Sequence, residues 1–368
     1  MRPASDAERA RLNDVFADLC RIPSPFGREA EVATRVRREL EGMGLAVEAD
    51  ERGNLVTRVH GRSDRTVLLC AHLDTVEVHG EIDPVVVDGG WENAHDAILG
   101  ADNKAAVAVF LEVARRASVE GSPVAVELLF TVEEEDALAG AKAFDASALR
   151  ADFGYVFDHA TPIGEIVTAS PTYYRLSADF HGRAAHAGIR PEAGRSAVVA
   201  AVQAVAAMPH GRIDEQTTAN VGSINGGSGS TNVVPERCKV LAEARSLDPE
   251  RVEDVVARMI DAVHDGAAAA ECDVDLVCEK LFDGYRTKPS APAIAVAEAA
   301  LRTCGYEPRR IVTGGGSDAN ALILKGIECV NLANGTEHNH EPSERVSVAA
   351  LEAMLDVSLA LLDEAAVA

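Results

Sequence analysis

Six positions spread along this 368-residue chain carry side chains of the kind that hold divalent cations: His72, Asp102, Glu134, Glu135, Asp158 and His340. Two imidazoles and four carboxylates are enough for two ions, with one carboxylate left over to move a proton. That is the equipment of metal-assisted hydrolysis. Asp74 follows His72 at i+2, on the same side if the strand continues, where a carboxylate can hold the second ring nitrogen of a ligating histidine. Taken singly, each position has an ordinary alternative. His72 and Asp74 could be polar caps of a strand end, Asp102 a helix cap, and Glu133 to Asp136 a solvated acidic turn.

The elements around these residues make the alternatives weaker together than apart. Val67 to Ala71 and Val124 to Phe130 are apolar runs of strand length, and DFGYVFDHA (152–160) and the segment from Cys329 repeat the pattern. Such runs read as strands buried on both faces. Each is followed closely by His, Asp or Glu, or by a Gly-containing loop with His338 and His340. In open α/β sheets the ligand site lies beyond the carboxyl ends of the strands, so four strand exits would deliver their side chains to one place. Asp102 precedes an amphipathic helix with Val107, Phe110, Leu111 and Ala114 on one face. Crowding four acids at one exit costs repulsion unless cations or solvent offset it.

The segments AHLDT, GADNKAAV, TVEEE, VFDHA and HNHEPSE, in that order, resemble the co-catalytic dizinc peptidases of the peptidase T branch. So do HGRAAHAGIRPEAGRSAV, STNVVPERCKVLAEARSLD and GGGSDANALILKGIECVNL, and the likeness runs from about residue 8 to residue 362. The resemblance implies His72 and Asp158 on one metal, Glu135 and His340 on the other, and Asp102 bridging. It implies two divalent ions, zinc before cobalt or manganese, that clamp a hydroxide and polarise a peptide carbonyl. Glu134 is then the general base. The family's Asp-Glu-Glu reads Glu133-Glu134-Glu135 here, and matching Thr131 to the family's threonine sets the register. His338 competes with His340, and the step from His340 to Glu344 favours His340. The resemblance also implies a cis peptide bond between Asp102 and Asn103.

Residues 166–284 carry none of these ligands, whereas residues 1–165 and 285–368 carry all of them. That is the trace of an inserted domain. Its pattern reads as strands and two helices, one capped by Asp248 with Pro249 first, and predicts a small α+β unit. The expected fold is therefore an α/β catalytic domain with a mixed central sheet flanked by helices, plus an inserted lid. The resemblance implies that the lid dimerises. It assigns His186 to the developing oxyanion, Asn232 to a polar substrate contact and Arg245 to a peptide carboxylate. A surface-loop histidine and a surface strand arginine are the plain alternatives. The glycine runs at 226–230 and 314–316 lack a phosphate-loop ending and read as loops.

Composition bounds the rest. A net charge of −24, from 59 acids against 35 bases, with no basic stripe, excludes a nucleic-acid binder. No apolar stretch reaches membrane-spanning length free of charge or glycine. Seven scattered cysteines predict reduced thiols in the cytoplasm. Ser5 and Glu8 form a capping box for a helix through about residue 21, in place of a signal peptide. The expected activity is hydrolysis of short peptides by an aminopeptidase or tripeptidase. A carboxypeptidase or N-acyl-amino-acid deacylase is the alternative hydrolase. A catalytically silent metal-binding dimer is the alternative of another class.

Overall fold

Parallel pairing of four strands gathers the candidate ligands. In the computed structural model, which describes residues 2–368, the strand Thr66–His72 lies between Ala125–Thr131 and Phe153–His159 and is parallel to both. Cys329–Ala333 pairs parallel with Phe153–His159 on its other side. All four therefore end at the same edge of the sheet. Leu55–Val59 and Val47–Ala49 extend it antiparallel beyond Ala125–Thr131. Glu165–Ser170 adds an antiparallel strand on the other flank, and Arg309–Val312 pairs parallel with it. Every residue of Thr66–His72 and Ala125–Thr131 is buried, as uninterrupted apolar runs require. The sheet belongs to a unit made of residues 1–169 and 286–368.

The helix Ala101–Glu120 packs against this sheet and the helices Asp6–Cys20 and Val348–Ala365. Phe110 meets Phe157 edge to face, with centroids 5.6 Å apart. Burying such a side chain contributes about 1.5–3 kcal/mol. The sequence predicts an amphipathic helix, yet this one is buried on nearly every side. Its charged positions are tolerated because they are paired. Glu112 accepts from Arg11, and Arg116 forks onto Glu8 with two 2.7 Å hydrogen bonds.

Glu8 also closes the capping box at Ser5, accepting from the Ser5 backbone N–H at 2.8 Å. Burial pushes its carboxyl up, but Arg116, Arg2 and Ser5 outweigh it and hold it below the usual range. Glu8→Ala would leave Arg116, whose side chain is 1% exposed, without its counter-charge. The expected loss is about 3–5 kcal/mol in urea unfolding. A depressed carboxyl stabilises above its unfolded pKa and loses that contribution as pH falls towards its folded one. The wild type should therefore lose stability below about pH 4.3 more steeply than Glu8→Ala. Equal stability of the two proteins at pH 7 would refute the pairing.

The second unit, Ser170–Tyr285, has its own core. Five antiparallel strands run in the order Gly211–Arg212, Thr217–Gly226, Arg237–Ser246, Thr172–His181, Asp273–Phe282. The helices Ala197–Ala207 and Pro249–Ala269 cover one face, and Met259 and Val263 of the second join Leu176, Phe180 and Val240 of the strands in one core. Asp248 caps the second helix, accepting from Glu250 and Arg251 N–H, and Pro249 opens it. All seven cysteines are free. Among the described residues no helix is long and apolar enough to cross a membrane.

Candidate metal centre

The end of the strand Thr66–His72 puts the His72 ring, 2% exposed, in the middle of the acids. Its Nε2 lies 3.2 Å from Asp102 Oδ1 and 3.7 Å from Asp158 Oδ1. The other Asp102 oxygen, Oδ2, lies 3.4 Å from His340 Nε2. His340 Nε2 is also 2.8 Å from Glu135 Oε1. One carboxylate thus faces a histidine with each oxygen. Ligand atoms of His72, Asp102 and Glu135 lie within 4.8 Å of one another, as do those of His72, Glu134 and Asp158. Glu133 turns away to pair with Arg52. His338 points to solvent, 57% exposed.

Asp74 does more than its spacing suggests. The strand ends at His72, yet the chain beyond it keeps Asp74 on the Nδ1 side of the ring. His72 Nδ1 lies 3.0 Å from the Asp74 carbonyl oxygen and 3.4 Å from Oδ1. With the proton on Nδ1 donated to that carbonyl, Nε2 is left bare to ligate. The Asp74 carboxylate also accepts from the backbone N–H of Glu134 and Glu135, at 3.0 and 2.9 Å. It fixes the turn that presents both glutamates.

Other polar residues around the cluster have no structural role assigned from sequence. Glu344, 2% exposed, accepts from the N–H of Gly100 at 2.7 Å and of Asp102 at 2.8 Å. Asn339 Nδ2 donates to Asp102 Oδ2 at 2.8 Å. Asn331 brackets Asp158, accepting from its N–H and donating to its carbonyl. Asp318 is buried beneath the strand ends, accepting from Thr131 Oγ1. Glu344, Asn339 and Asp318 lie inside HNHEPSE and GGGSDANAL, so a signal existed, but only the fold shows which polar residue turns inward. The Asp102–Asn103 peptide bond is cis.

The electrostatics fit a site built to hold positive charge. Burial, then Asp158, pushes the Glu134 carboxyl well above its usual range. Burial, then Asp102, lifts Asp158 to about 8. Asp102, then Glu135, raises His340 to about 10. Burial opposes the His72 proton, but Asp102, Asp158 and Asp74 hold it well above the ordinary value. Protons are thus taken up where cations would sit, and metal binding releases such protons. Both polar side-chain atoms of Asn103 and Oδ1 of Asn339 are buried without partners beside the cluster. The mixed imidazole and carboxylate donors suit zinc-type divalent ions.

The other candidate residues belong to the second unit. His186 is exposed, in a loop bridged to Val233. The next residue, Ala187, donates its N–H to the Asn232 carbonyl at 2.9 Å, so His186 and Asn232 stand on adjoining loops. Arg245 lies on the strand Arg237–Ser246, its Cζ 4.1 Å from the centre of the Tyr173 ring. Its Nε and Nη2 each reach Glu243 at 3.1 Å.

Residues 172–271 match the family model of the peptidase dimerisation domain, and residues 54–170 that of peptidase family M28. The Bacillus subtilis protein YqjE is 35% identical, over 97% of this chain and 98% of its own. A solved aminopeptidase PepT from Bacillus cereus is 35% identical, with 97% and 99% of the two chains covered and a TM-score of 0.85. The chain belongs to the peptidase T branch of the co-catalytic metallopeptidases. A tripeptidase from Staphylococcus aureus superposes with a TM-score of 0.91 at 32% identity, over 98% and 99% of the two chains. As a peptidase T relative, the protein is a metal-dependent exopeptidase, and the two-unit α/β architecture is that of its branch.

Proposed function

We propose that this peptidase T relative is an aminopeptidase that cleaves short peptides, tripeptides foremost, with two zinc ions. One ion would be held by His72 and Asp158, the other by Glu135 and His340, with Asp102 shared. The observation that carries this reading is the Asp102 carboxylate, with Oδ1 towards His72 Nε2 and Oδ2 towards His340 Nε2. When bound, the ions supply Lewis acidity at the scissile carbonyl and acidify a water. Glu134 takes the water proton and passes it to the leaving amine. Glu134 lies beside His72 and Asp158, with ligand-type atoms of the three within 4.8 Å of one another. Asp74 positions Glu134 and Glu135 through their N–H groups. Asn232 and Arg245 contact the substrate, Arg245 as a planar donor to a peptide carboxylate.

The direct test compares a free tripeptide with its N-blocked and C-amidated forms. An aminopeptidase should cleave the free peptide, cleave the C-amidated one with a raised KM because Arg245 loses its carboxylate partner, and fail on the N-blocked one. Cleavage of the N-blocked peptide with loss of C-amide cleavage would make it a carboxypeptidase. Release of the acyl group alone would make it a deacylase.

The protein acts in this reading as a cytoplasmic homodimer joined through the second unit. The dimerisation-domain match at 172–271 supports that assembly. His186 would serve the oxyanion in the site of the partner subunit. Mixing inactive His186→Ala chains with inactive Glu134→Gln chains should restore a fraction of wild-type activity. No recovery, despite demonstrated subunit exchange, would place His186 in its own chain's service or in none.

A further inference from the structure

Asp318 is a buried carboxylate with no part in the mechanism above. It is 1% exposed at the start of the segment Asp318–Leu324, after the glycine run at 314–316. Its Oδ2 accepts from Thr131 Oγ1 at 2.5 Å and lies 3.8 Å from Cys70 Sγ. Its Oδ1 is buried with no partner. Thr131 and Cys70 sit on different strands. Cys70 lies two residues before His72, and Thr131 three before Glu134. The strands are in parallel register there, with His72 opposite Thr131, and the Leu73 N–H donates to the Thr131 carbonyl at 2.8 Å. Thr131 Oγ1 has one proton. Its other acceptor within reach, the Ala71 carbonyl, is 3.4 Å away. The hydroxyl is therefore committed to Asp318.

A carboxylate half satisfied in an apolar interior is a poor device for stability. Burying it costs free energy that a leucine of similar size would not. What it does is tie two strand exits to a third segment at the level where one presents a histidine and the other two glutamates. We infer that Asp318, through Thr131, is a positioning residue for the hydrolytic reaction, fixing the two strand exits that carry His72 and Glu134–Glu135. The inference rests on the reading of those three residues as the reaction site.

The test uses the full-length, metal-loaded protein and four variants: Thr131→Val, Asp318→Ala, Asp318→Asn and the double Thr131→Val/Asp318→Ala. Each is followed by kcat and KM on a free tripeptide, by Tm, and by the visible absorption of the cobalt-loaded form. Misplaced reacting groups cost rate steeply, so Thr131→Val and Asp318→Ala should each lower kcat by roughly 10–10²-fold with KM within about twofold. Both should shift the cobalt bands, because ligand angles change. The double variant should be no slower than the slower single one, since both remove one link. Asp318→Asn keeps an oxygen that can accept from Thr131 and should recover most of the Asp318→Ala loss. Thr131→Val changes volume little, so it carries the test if Asp318→Ala does not fold. A lowered Tm with unchanged kcat and unchanged cobalt bands would overturn the inference, as would multiplied losses in the double variant. If the wild type cleaves none of the peptides, the proposed function fails, and the cobalt bands still decide the strand clamp.

Discussion

Glu134→Gln is expected to keep both ions and to lose about 10²–10⁴-fold in turnover, the range for removal of a general base. The amide is nearly the same size, so packing is conserved, and the Asp74 carboxylate still holds the backbone N–H at 134. What disappears is the ability to take a proton. Glu135→Gln should behave in the opposite way. Glu135 Oε1 lies 2.8 Å from His340 Nε2, and weakening that donor should release the ion shared by the two. Metal analysis of both variants alongside kcat separates the roles. The comparison has force because Glu134 also groups with His72 and Asp158 within 4.8 Å. If Glu134→Gln strips metal while Glu135→Gln retains it, base and ligand exchange places and the sequence register is off by one.

The parts of this site legible in sequence are those that local pattern determines. Uninterrupted apolar runs ending in His72, Thr131 and Asp158 predict buried strands, and strands that pair in parallel, as these do, share one exit edge. Pairing of His72 with Thr131 in register is the physical form of that expectation. Local pattern is incomplete where the chain leaves regular structure. Strand periodicity places Asp74 beside the His72 ring, but it does not show that the carboxylate also serves two backbone N–H groups sixty residues downstream. The helix after Asp102 reads as amphipathic because Glu112 and Arg116 look solvated. Their partners, Arg11 and Glu8, come from the first helix, which no window around residue 112 contains. Glu344 and Asn339 were hidden for another reason. Each sits in a polar stretch where any of several residues could turn inward, and only the loop's path selects them.

Removing the Asp102 carboxylate should have the widest effect on the centre, because both its oxygens face a histidine. In Asp102→Asn the oxygen retained can serve at most one side, and the nitrogen that replaces the other cannot ligate. Even loss of a group that only supports a ligand costs about 10–100-fold in metal affinity. Loss of a shared ligand should therefore weaken both sites by at least about 10²-fold. Activity should follow the metal. His72→Ala is the informative contrast. His72 Nε2 groups with Asp102 and Asp158 on one side of the cluster, whereas His340 and Glu135 meet on the other. One ion per chain should survive that change, and close to none should survive Asp102→Asn after dialysis. Elemental analysis of the dialysed proteins reads both outcomes. A single ion retained in Asp102→Asn with full affinity would mean that Asp102 serves one site alone. The paired distances of 3.2 and 3.4 Å would then describe a carboxylate resting between two histidines rather than one joining two ions.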